Sequence, residues 1–168
     1  MGSTSTSATE RGPVAIVGAG LIGRAWAIVF ARAGHPVRLH DMDLQTMQNS
    51  HAYIEARLNE LAEFDLLNDS PSTVLERIIC VPDLADALRD VVLVQENVRE
   101  TVEAKIDIFS RMDALAPKNA ILASSTSWLP ASEFTEELPG RGRCVVAHPT
   151  NPPYLVPLVE VIGTQWTS

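Results

Sequence analysis

Three glycines in the stretch PVAIVGAGLIG constrain the fold of this chain more than any other feature. Gly18, Gly20 and Gly23 follow a β-branched run that starts at Pro13, and such a run is typical of a strand buried on both faces. Their spacing predicts a tight turn at the first glycine, close approach of a pyrophosphate at the second, and close packing of a helix on the strand at the third. Free N–H groups at the helix start would face the phosphate charge. The alternative is a glycine turn that binds no ligand.

A helix and a second strand are predicted directly after the glycine turn. Apolar residues recur at helical spacing between Leu21 and Ala33, and Gly34 provides a stop before the apolar run PVRLH at 36–40. Together these segments form a strand-helix-strand unit of about 30 residues. The residues predicted to contact a dinucleotide at the turn are Gly18, Ala19, Gly20, Leu21, Ile22 and Gly23.

Asp41 determines which dinucleotide the sequence predicts. It closes the second predicted strand, 18 residues after Gly23, where a carboxylate accepts hydrogen bonds from the adenosine ribose. The same carboxylate would repel a 2′-phosphate, and the next residues, Met42 and Asp43, offer no arginine to receive one. We therefore expect the cofactor to be NAD rather than NADP. The alternative is that Asp41 only caps a turn.

The rest of the chain alternates predicted helices and strands. Asp43 is expected to cap a helical segment that reaches about residue 79 and breaks near 68–71. His51 falls on the apolar stripe of this segment, and a packing role is favoured because no second metal ligand lies one turn away, so no metal site is predicted. Further strands are predicted at 78–81, 91–95, 120–123, 144–148 and 156–162, and further helices at 83–89 and 101–115.

This pattern predicts an α/β fold with one folded domain at 13–168, after a disordered leader at 1–12. The expected architecture is a Rossmann-type, doubly wound, mostly parallel sheet with antiparallel edge strands and a helical insertion after the second strand. The segment PTNPP at 149–153 is not expected in a central strand, because proline donates no ladder hydrogen bond.

Composition narrows the classes of partner. The net charge of -8 disfavours nucleic acid and anionic membrane surfaces, which need a basic face, so a small-molecule partner is expected. Cys80 and Cys144 lie in apolar, strand-like stretches, and we expect both thiols to be buried and reduced, as in the cytoplasm. The sequence has no apolar run of membrane-spanning length and no signal-peptide core at its start.

His148 and Glu160 form the candidate catalytic pair. They lie on consecutive predicted strands, separated by a loop that contains Asn151 and several prolines. If these strands pair as a hairpin, the carboxylate can reach the imidazole. Such a pair suits dehydrogenation, because the imidazole removes a hydroxyl proton while the carboxylate fixes the tautomer and stabilises the imidazolium. Spacing alone leaves a structural histidine equally open.

Four stretches resemble, in this order, the NAD-binding domain of the L-3-hydroxyacyl-CoA dehydrogenase family: VAIVGAGLIG, VQENVRE, LASSTSWLP and AHPTNPPYLVPLVEVI. They are most similar to the lambda-crystallin and L-gulonate 3-dehydrogenase branch, and the resemblance runs from about Pro13 to the end of the chain. It implies an NAD-dependent oxidoreductase that removes hydride from the 3-hydroxyl of a 3-hydroxyacyl-CoA or of a small 3-hydroxy acid such as L-gulonate.

The resemblance also assigns roles to individual residues. It implies that His148 is the catalytic base and Glu160 its partner, and that Ser127 and Asn151 hold the reacting oxygen near the nicotinamide and contact the cofactor. Glu100 and Lys105 fall where the family contacts the cofactor. Without the resemblance, Ser124–Ser127 would be interpreted as a helix cap or turn, and Lys105 as a solvated helix charge.

Two motifs depart from the acyl-CoA members of the family. This chain has SSTS where those enzymes commonly carry SNTS, and ENV where they often carry EAI. Between Leu44 and Ile79, where they contact coenzyme A, the chain has six acidic residues and only two basic ones, Arg57 and Arg77. Such a surface receives a phosphorylated carrier poorly, which favours a small free 3-hydroxy acid.

Family members continue into an α-helical domain that completes the substrate pocket and commonly forms a homodimer. The sequence stops at Ser168, so we expect a truncated, poorly active chain with an exposed apolar patch where that domain would dock. Related dehydrogenases that use a catalytic lysine or cysteine are disfavoured by the placement of these residues. The alternative from another class is a non-catalytic NAD-binding or crystallin-like structural protein.

Overall fold

Seven strands form a single sheet in the computed structural model, which describes residues 11–168. They are β1 (Val14–Val17), β2 (Val37–His40), β3 (Ile78–Cys80), β4 (Leu93–Glu96), β5 (Ile121–Ser124), β6 (Cys144–Pro149) and β7 (Val159–Gly163). Their order across the sheet is β3-β2-β1-β4-β5-β6-β7. The pairings from β3 to β6 are parallel, and β7 pairs antiparallel with β6. Apart from Arg11 and Gly12, the predicted leader lies outside the described residues.

Helices connect the strands and cover the sheet. They are α1 (Leu21–Arg32), α2 (Leu44–Glu63), α3 (Pro71–Leu75), α4 (Leu84–Ala87), α5 (Val102–Leu115) and α6 (Ser132–Thr135), with a short 3-10 turn at Arg141–Arg143. Within residues 11–168, none of these helices combines the length and the apolar character that crossing a membrane requires.

Strand β1 is buried on both faces, as its β-branched sequence predicts. Val14 and Ile16 pack in the apolar cluster formed with α1 and α2, whereas Ala15 and Val17 pack in the cluster formed with α5 and α6. Successive side chains of a strand point to opposite faces, so one strand contributes to both cores. The predicted doubly wound, mostly parallel sheet is confirmed, with β7 as its one antiparallel strand.

The predicted helical insertion after the second strand is confirmed as α2 and α3, with the break at 64–70. Asp43 caps α2 by accepting a hydrogen bond from the N–H of Gln45. The packing role predicted for His51 is wrong, because this residue is exposed. The buried stripe passes through Ser50, whose hydroxyl donates to the carbonyl of Thr46 at 2.7 Å, so a small polar residue takes the position expected for the histidine.

Two further expectations need correction. Cys80 is exposed rather than buried, because β3 is an edge strand of which only Ile78 is buried; Cys144 is buried, as predicted. Pro149 belongs to β6 although proline was expected outside it. It is tolerated because the parallel pairing of β6 with β5 already stops at Val146, and Pro149 lies opposite Val159 of β7.

The carboxyl ends of the parallel strands lie at one edge of the sheet. The chain passes from β1 to its neighbour β2, and later returns to β4 on the other side of β1. This reversal of direction opens a crevice between β1 and β4, and doubly wound folds bind their ligands in such a crevice.

Candidate cofactor site and active site

The glycine turn has different steric demands at each of its three glycines. Gly18 has φ +96°, and a Cβ there would lie 2.7 Å from the backbone carbonyl of Asn97. A Cβ on Gly23 would lie 1.8 Å from the carbonyl oxygen of Gly18. A Cβ on Gly20 would meet nothing within 4 Å. The fold itself therefore requires the first and third glycines, whereas the second keeps open a space at the start of α1, as the approach of a pyrophosphate demands.

Asp41 is tied to the glycine turn. Its Oδ2 accepts the N–H of Ala19 at 2.7 Å, and its Oδ1 accepts the N–H of Asp43 at 2.9 Å. The second contact is the turn cap that was the alternative interpretation of Asp41. Each carboxylate oxygen can accept a further hydrogen bond, so the cap and a ribose contact are compatible.

A cavity of about 700 Å³ opens beside Asp41 and the glycine turn. It is lined by Gly18, Gly20 and Asp41, together with residues of the loop after β4 and of α5. Of the other predicted turn residues, Ala19 is buried, Ile22 is half-buried and Leu21 is exposed. We call this space the adenosine cavity, because Asp41 is the predicted ribose contact.

His148 and Glu160 are brought together by the antiparallel pairing of β6 and β7. They are direct partners in the register, and Nδ1 of His148 lies 3.0 Å from Oε2 of Glu160. The hairpin on which the sequence prediction depended is therefore confirmed. Because Glu160 takes the Nδ1 position, Nε2 is the ring nitrogen that can accept a proton. The His148 side chain is one-third exposed, at 33%, so a ligand can reach it.

A second cavity, of about 560 Å³, surrounds this pair. Its lining includes His148, Glu160, Ser127 and Trp128, and we call it the substrate cavity. Trp128 is 70% exposed. The cavity therefore combines an imidazole with a large aromatic surface, next to the hydroxyl group predicted to hold the reacting oxygen.

Glu100 holds the loop that carries Ser127. Its Oε1 accepts hydrogen bonds from the Thr126 hydroxyl at 2.8 Å, the Ser127 N–H at 2.6 Å and the Ser127 hydroxyl at 3.0 Å. Burial acts to raise the pKa of the Glu100 carboxyl, but the hydrogen bonds from Ser127, Thr126 and Trp128 outweigh it and the pKa lies below its ordinary value. Glu100 is thus an ionised anchor for the wall of the substrate cavity.

Lys105 is neither solvated nor free. The lysine is 1% exposed and Glu96 is 0% exposed, and Lys105 Nζ lies 2.8 Å and 2.9 Å from the two Glu96 carboxylate oxygens. Glu96 also accepts from the Ser124 hydroxyl at 2.6 Å and from the Val98 N–H at 2.6 Å. The interpretation of Lys105 as a solvated helix charge is wrong, because its ammonium group is buried and neutralises the charge of the buried Glu96 carboxylate. Its contact with the cofactor stays a prediction.

Asn151 is not drawn into either cavity. It is exposed in the loop between β6 and β7 and is absent from the linings of both cavities. Within residues 11–168 its side chain has no hydrogen-bond partner. Its role at the reacting oxygen therefore rests on the sequence resemblance.

Several residues of the site escaped the sequence analysis. Glu96 could have been found from the sequence. It ends the apolar strand VVLVQE, and a charged residue that is buried there must have a partner. Trp128 follows Ser127 directly but has no pattern that would indicate exposure. Ser125 and Asn97 were noted only as departures from the family motifs, and their hydrogen bond is not visible in the sequence.

The comparison with known families agrees with this geometry. The family model described as "3-hydroxyacyl-CoA dehydrogenase, NAD binding domain" matches residues 13–168. The chain belongs to this family. The resemblance predicted from the four sequence stretches is confirmed, and NAD is the cofactor of the domain.

Among curated proteins, the lambda-crystallin homolog of Homo sapiens is 37% identical over 158 residues, covering 93% of this chain and 50% of that protein. An L-carnitine dehydrogenase of Streptomyces griseus is 35% identical over 171 residues, covering 95% of this chain and 50% of that protein. This member of the 3-hydroxyacyl-CoA dehydrogenase family thus spans about half the length of the curated relatives it matches.

Solved structures of the family superpose closely. The 3-hydroxybutyryl-CoA dehydrogenase of Escherichia coli K12 has a TM-score of 0.87 at 29% identity, covering 93% of this chain and 33% of that chain. The (S)-3-hydroxybutyryl-CoA dehydrogenase PaaH1 of Ralstonia eutropha has a TM-score of 0.86 at 28% identity, covering 93% of this chain and 55% of that chain.

Proposed function

We propose that this chain is the NAD-binding part of a dehydrogenase that moves a hydride from the 3-hydroxyl of a 3-hydroxyacyl-CoA or a small 3-hydroxy acid to NAD. The observation that carries the proposal is the contact between His148 Nδ1 and Glu160 Oε2 at 3.0 Å, in the cavity that Ser127 also lines. A general base held by a carboxylate beside a hydroxyl group is what oxidation of an alcohol requires.

The residues divide the reaction between them as follows. Glu160 accepts a hydrogen bond from the Nδ1–H of His148, which leaves the Nε2 lone pair to take the proton of the substrate hydroxyl. Glu160 then stabilises the imidazolium by its charge. Bound NAD supplies the acceptor for the hydride. The Ser127 hydroxyl donates a hydrogen bond to Glu100, which holds the Ser127 side chain in the wall of the cavity beside the substrate. To hold the reacting oxygen, as the family resemblance implies, this hydroxyl would turn from Glu100 and donate to the substrate oxygen, whose own proton goes to His148.

The cofactor assignments form a second part of the proposal. The amides around Gly20 bind the pyrophosphate, and Asp41 binds the adenosine ribose. Glu100, Lys105, Ser127 and Asn151 contact the cofactor as the family resemblance implies. Lys105 is buried beside Glu96, so its contact with the cofactor would be made from beneath the surface. For Asn151 to contact the cofactor, the loop between β6 and β7 must move toward the bound dinucleotide.

A small 3-hydroxy acid such as L-gulonate is the favoured substrate over an acyl-CoA. The two basic residues of the α2 and α3 segment are both paired with acids: Arg57 with Glu60 at 2.5 Å and Arg77 with Asp69 at 2.6 Å. Since both positive charges are neutralised and the other acidic residues of the segment are not paired with these arginines, this surface has little attraction for a phosphorylated carrier. The similarity to an L-carnitine dehydrogenase, named for a 3-hydroxy acid, supports the same choice.

A second, α-helical domain and a homodimer complete the proposed protein. The expectation of an apolar docking surface is supported by the exposed apolar residues Leu155, Leu158, Val161 and Ile162 of β7 and the loop before it, of which Ile162 lines the substrate cavity with Trp128. Burying such a patch favours association. We further propose a reducing, cytoplasmic location and partners other than nucleic acid or membranes, on the basis of the free cysteines and the net charge of -8.

The test is a substrate screen on an expression product that includes the proposed second domain. We expect NADH formation with L-gulonate or 3-hydroxybutyrate in preference to 3-hydroxybutyryl-CoA. His148→Ala should lower turnover by about 10² to 10⁴-fold, the usual contribution of a general base, with NADH affinity unchanged. Turnover that survives His148→Ala would contradict the proposal.

A non-catalytic, crystallin-like role is the second candidate, favoured by the similarity to lambda-crystallin proteins. It predicts that no 3-hydroxy compound is oxidised and that His148→Ala changes nothing measurable. The same screen therefore separates the two functions.

A further inference from the structure

Four polar side chains form a hydrogen-bonded chain that crosses the carboxyl edge of the sheet. The Ser125 hydroxyl accepts the Trp26 indole N–H at 2.9 Å and the Gln95 amide at 2.7 Å. It lies 2.7 Å from Oδ1 of Asn97. These four side chains link α1, β4 and the loops that follow β4 and β5, beside the crevice between β1 and β4.

The direction of these hydrogen bonds is fixed by Trp26. An indole N–H can only donate. Gln95 Nε2 donates one hydrogen to Ser125 and the other to the carbonyl of Ala147 at 3.2 Å. Ser125 thus receives two donors and must direct its own proton to Asn97. The Asn97 amide is thereby held with its oxygen toward Ser125 and its nitrogen away from it.

This orientation leaves one donor unspent. Asn97 Nδ2 donates one hydrogen to the Gln95 carbonyl at 2.9 Å, and an amide nitrogen carries two. Across residues 11–168 no acceptor is bonded to the second. Asn97 is half-buried and lines the adenosine cavity, and its backbone carbonyl packs against Gly18. The free N–H therefore lies in ligand-accessible space at the glycine turn.

The position of the chain between the two cavities indicates what this N–H can bind. Asn97 lines the adenosine cavity, while Ser125 directly precedes Thr126 and Ser127, which line the substrate cavity. A dinucleotide with its adenosine near Asp41 and its nicotinamide near His148 must cross this junction. Its pyrophosphate and its second ribose present hydrogen-bond acceptors there.

We propose that Asn97 is a cofactor-binding residue whose free amide N–H donates to NAD beyond the adenosine 5′-phosphate, and that Ser125 is the positioning residue that holds this amide in the donating orientation. The inference rests on the NAD binding described above. Asn97 and Ser125 are also positions at which the sequence departs from EAI and SNTS, and the two side chains are hydrogen-bonded to each other.

The experiment is calorimetric titration of the 168-residue chain with NADH and, separately, with AMP, which carries only the adenosine half. Asn97→Ala should weaken NADH binding by about 3- to 10-fold, the range for one hydrogen bond, and leave AMP binding unchanged. Asn119→Ala, at an exposed loop asparagine, is the matched control and should change neither affinity.

Ser125 is tested by a double-variant cycle. Ser125→Ala should weaken NADH binding, Ser125→Thr should retain it because the hydroxyl is kept, and Ser125→Ala combined with Asn97→Ala should bind NADH no more weakly than Asn97→Ala alone. Equal losses for NADH and AMP, or additive losses in the double variant, would mean a structural role and would overturn the proposal. Unchanged NADH affinity in Asn97→Ala would overturn it while NAD binding stands, whereas wild-type chain that binds no NADH would overturn both.

Discussion

The adenosine cavity and the substrate cavity lie at the same edge of one sheet but are built in different ways. The adenosine cavity lies at the ends of the buried strands β1 and β2, and its Asp41 accepts a hydrogen bond from the N–H of Ala19. The substrate cavity lies against β7, all of whose residues are exposed, and Glu160 is 69% exposed. The adenosine side is thus built on buried strands, whereas the substrate side has an exposed wall, which the proposed second domain would cover so that water is excluded from the reaction.

The largest effect should come from the glycine turn. Gly23→Ala places a Cβ 1.8 Å from the Gly18 carbonyl oxygen, so we expect a loss of about 3 kcal/mol or more in the free energy of unfolding. Gly20→Ala, with open space around its Cβ, should fold normally in urea titrations and lose NADH binding. Wild-type NADH affinity in Gly20→Ala would show that the open space does not receive the pyrophosphate.

The buried ion pair between Lys105 and Glu96 should give the next effect. Lys105→Met leaves Glu96 buried without its counter-charge, and such losses cost about 3 kcal/mol in the free energy of unfolding. Arg89→Met, which breaks an exposed pair with Asp86, should cost less than about 1 kcal/mol. Urea unfolding of the two variants and the wild type measures both costs. Equal costs for the two variants would contradict a structural role for the buried pair.

Glu100 should give a smaller effect that depends on pH. Its pKa in the folded chain is lowered, so its stabilising contribution is present above the unfolded pKa of about 4.3 and is lost as the pH falls through the folded value. Glu100→Gln should therefore be less stable than wild type at pH 7, by about 1 kcal/mol for partly exposed hydrogen bonds to a charge. The thermal midpoints of the two proteins should converge as the pH is lowered well below 4.3. A difference that stays constant with pH would exclude an ionised anchor.

The cysteines should give the smallest effect, a difference in the rate of thiol modification. This difference shows how much of the sheet next to the substrate cavity is accessible to solvent. Burial, with the nearby Asp113 carboxylate, raises the pKa of Cys144 to about 12, so its thiol should resist alkylation at pH 8. Cys80, exposed at the opposite edge of the sheet, should react first in a thiol titration. Rapid modification of Cys144 in the folded chain would mean that β6 is accessible along its length and not only near His148.

The sequence predicts the adenosine side better than the substrate side, for physical reasons. The glycine spacing, Asp41 and the β1-α1-β2 order depend on local sterics and short connections, which a pattern of residues specifies. The pairing of His148 with Glu160 follows from one hairpin register. By contrast, the partners of Lys105 and Ser125 come from other elements, 9 residues away for Glu96 and 28 for Asn97. His51 was misplaced because the choice between it and Ser50 depends on the exact rotation of α2 against the sheet, which helical periodicity leaves free by one residue.

The central claim is that the dinucleotide binds at the glycine turn with its adenosine ribose held by Asp41. Calorimetric titration of this chain with NADH and with NADPH tests it most directly. We predict saturable binding of one NADH per chain, weaker binding of NADPH, and loss of that preference in Asp41→Ala. The absence of NADH uptake, or equal affinity for the two cofactors in the wild-type chain, would contradict the account.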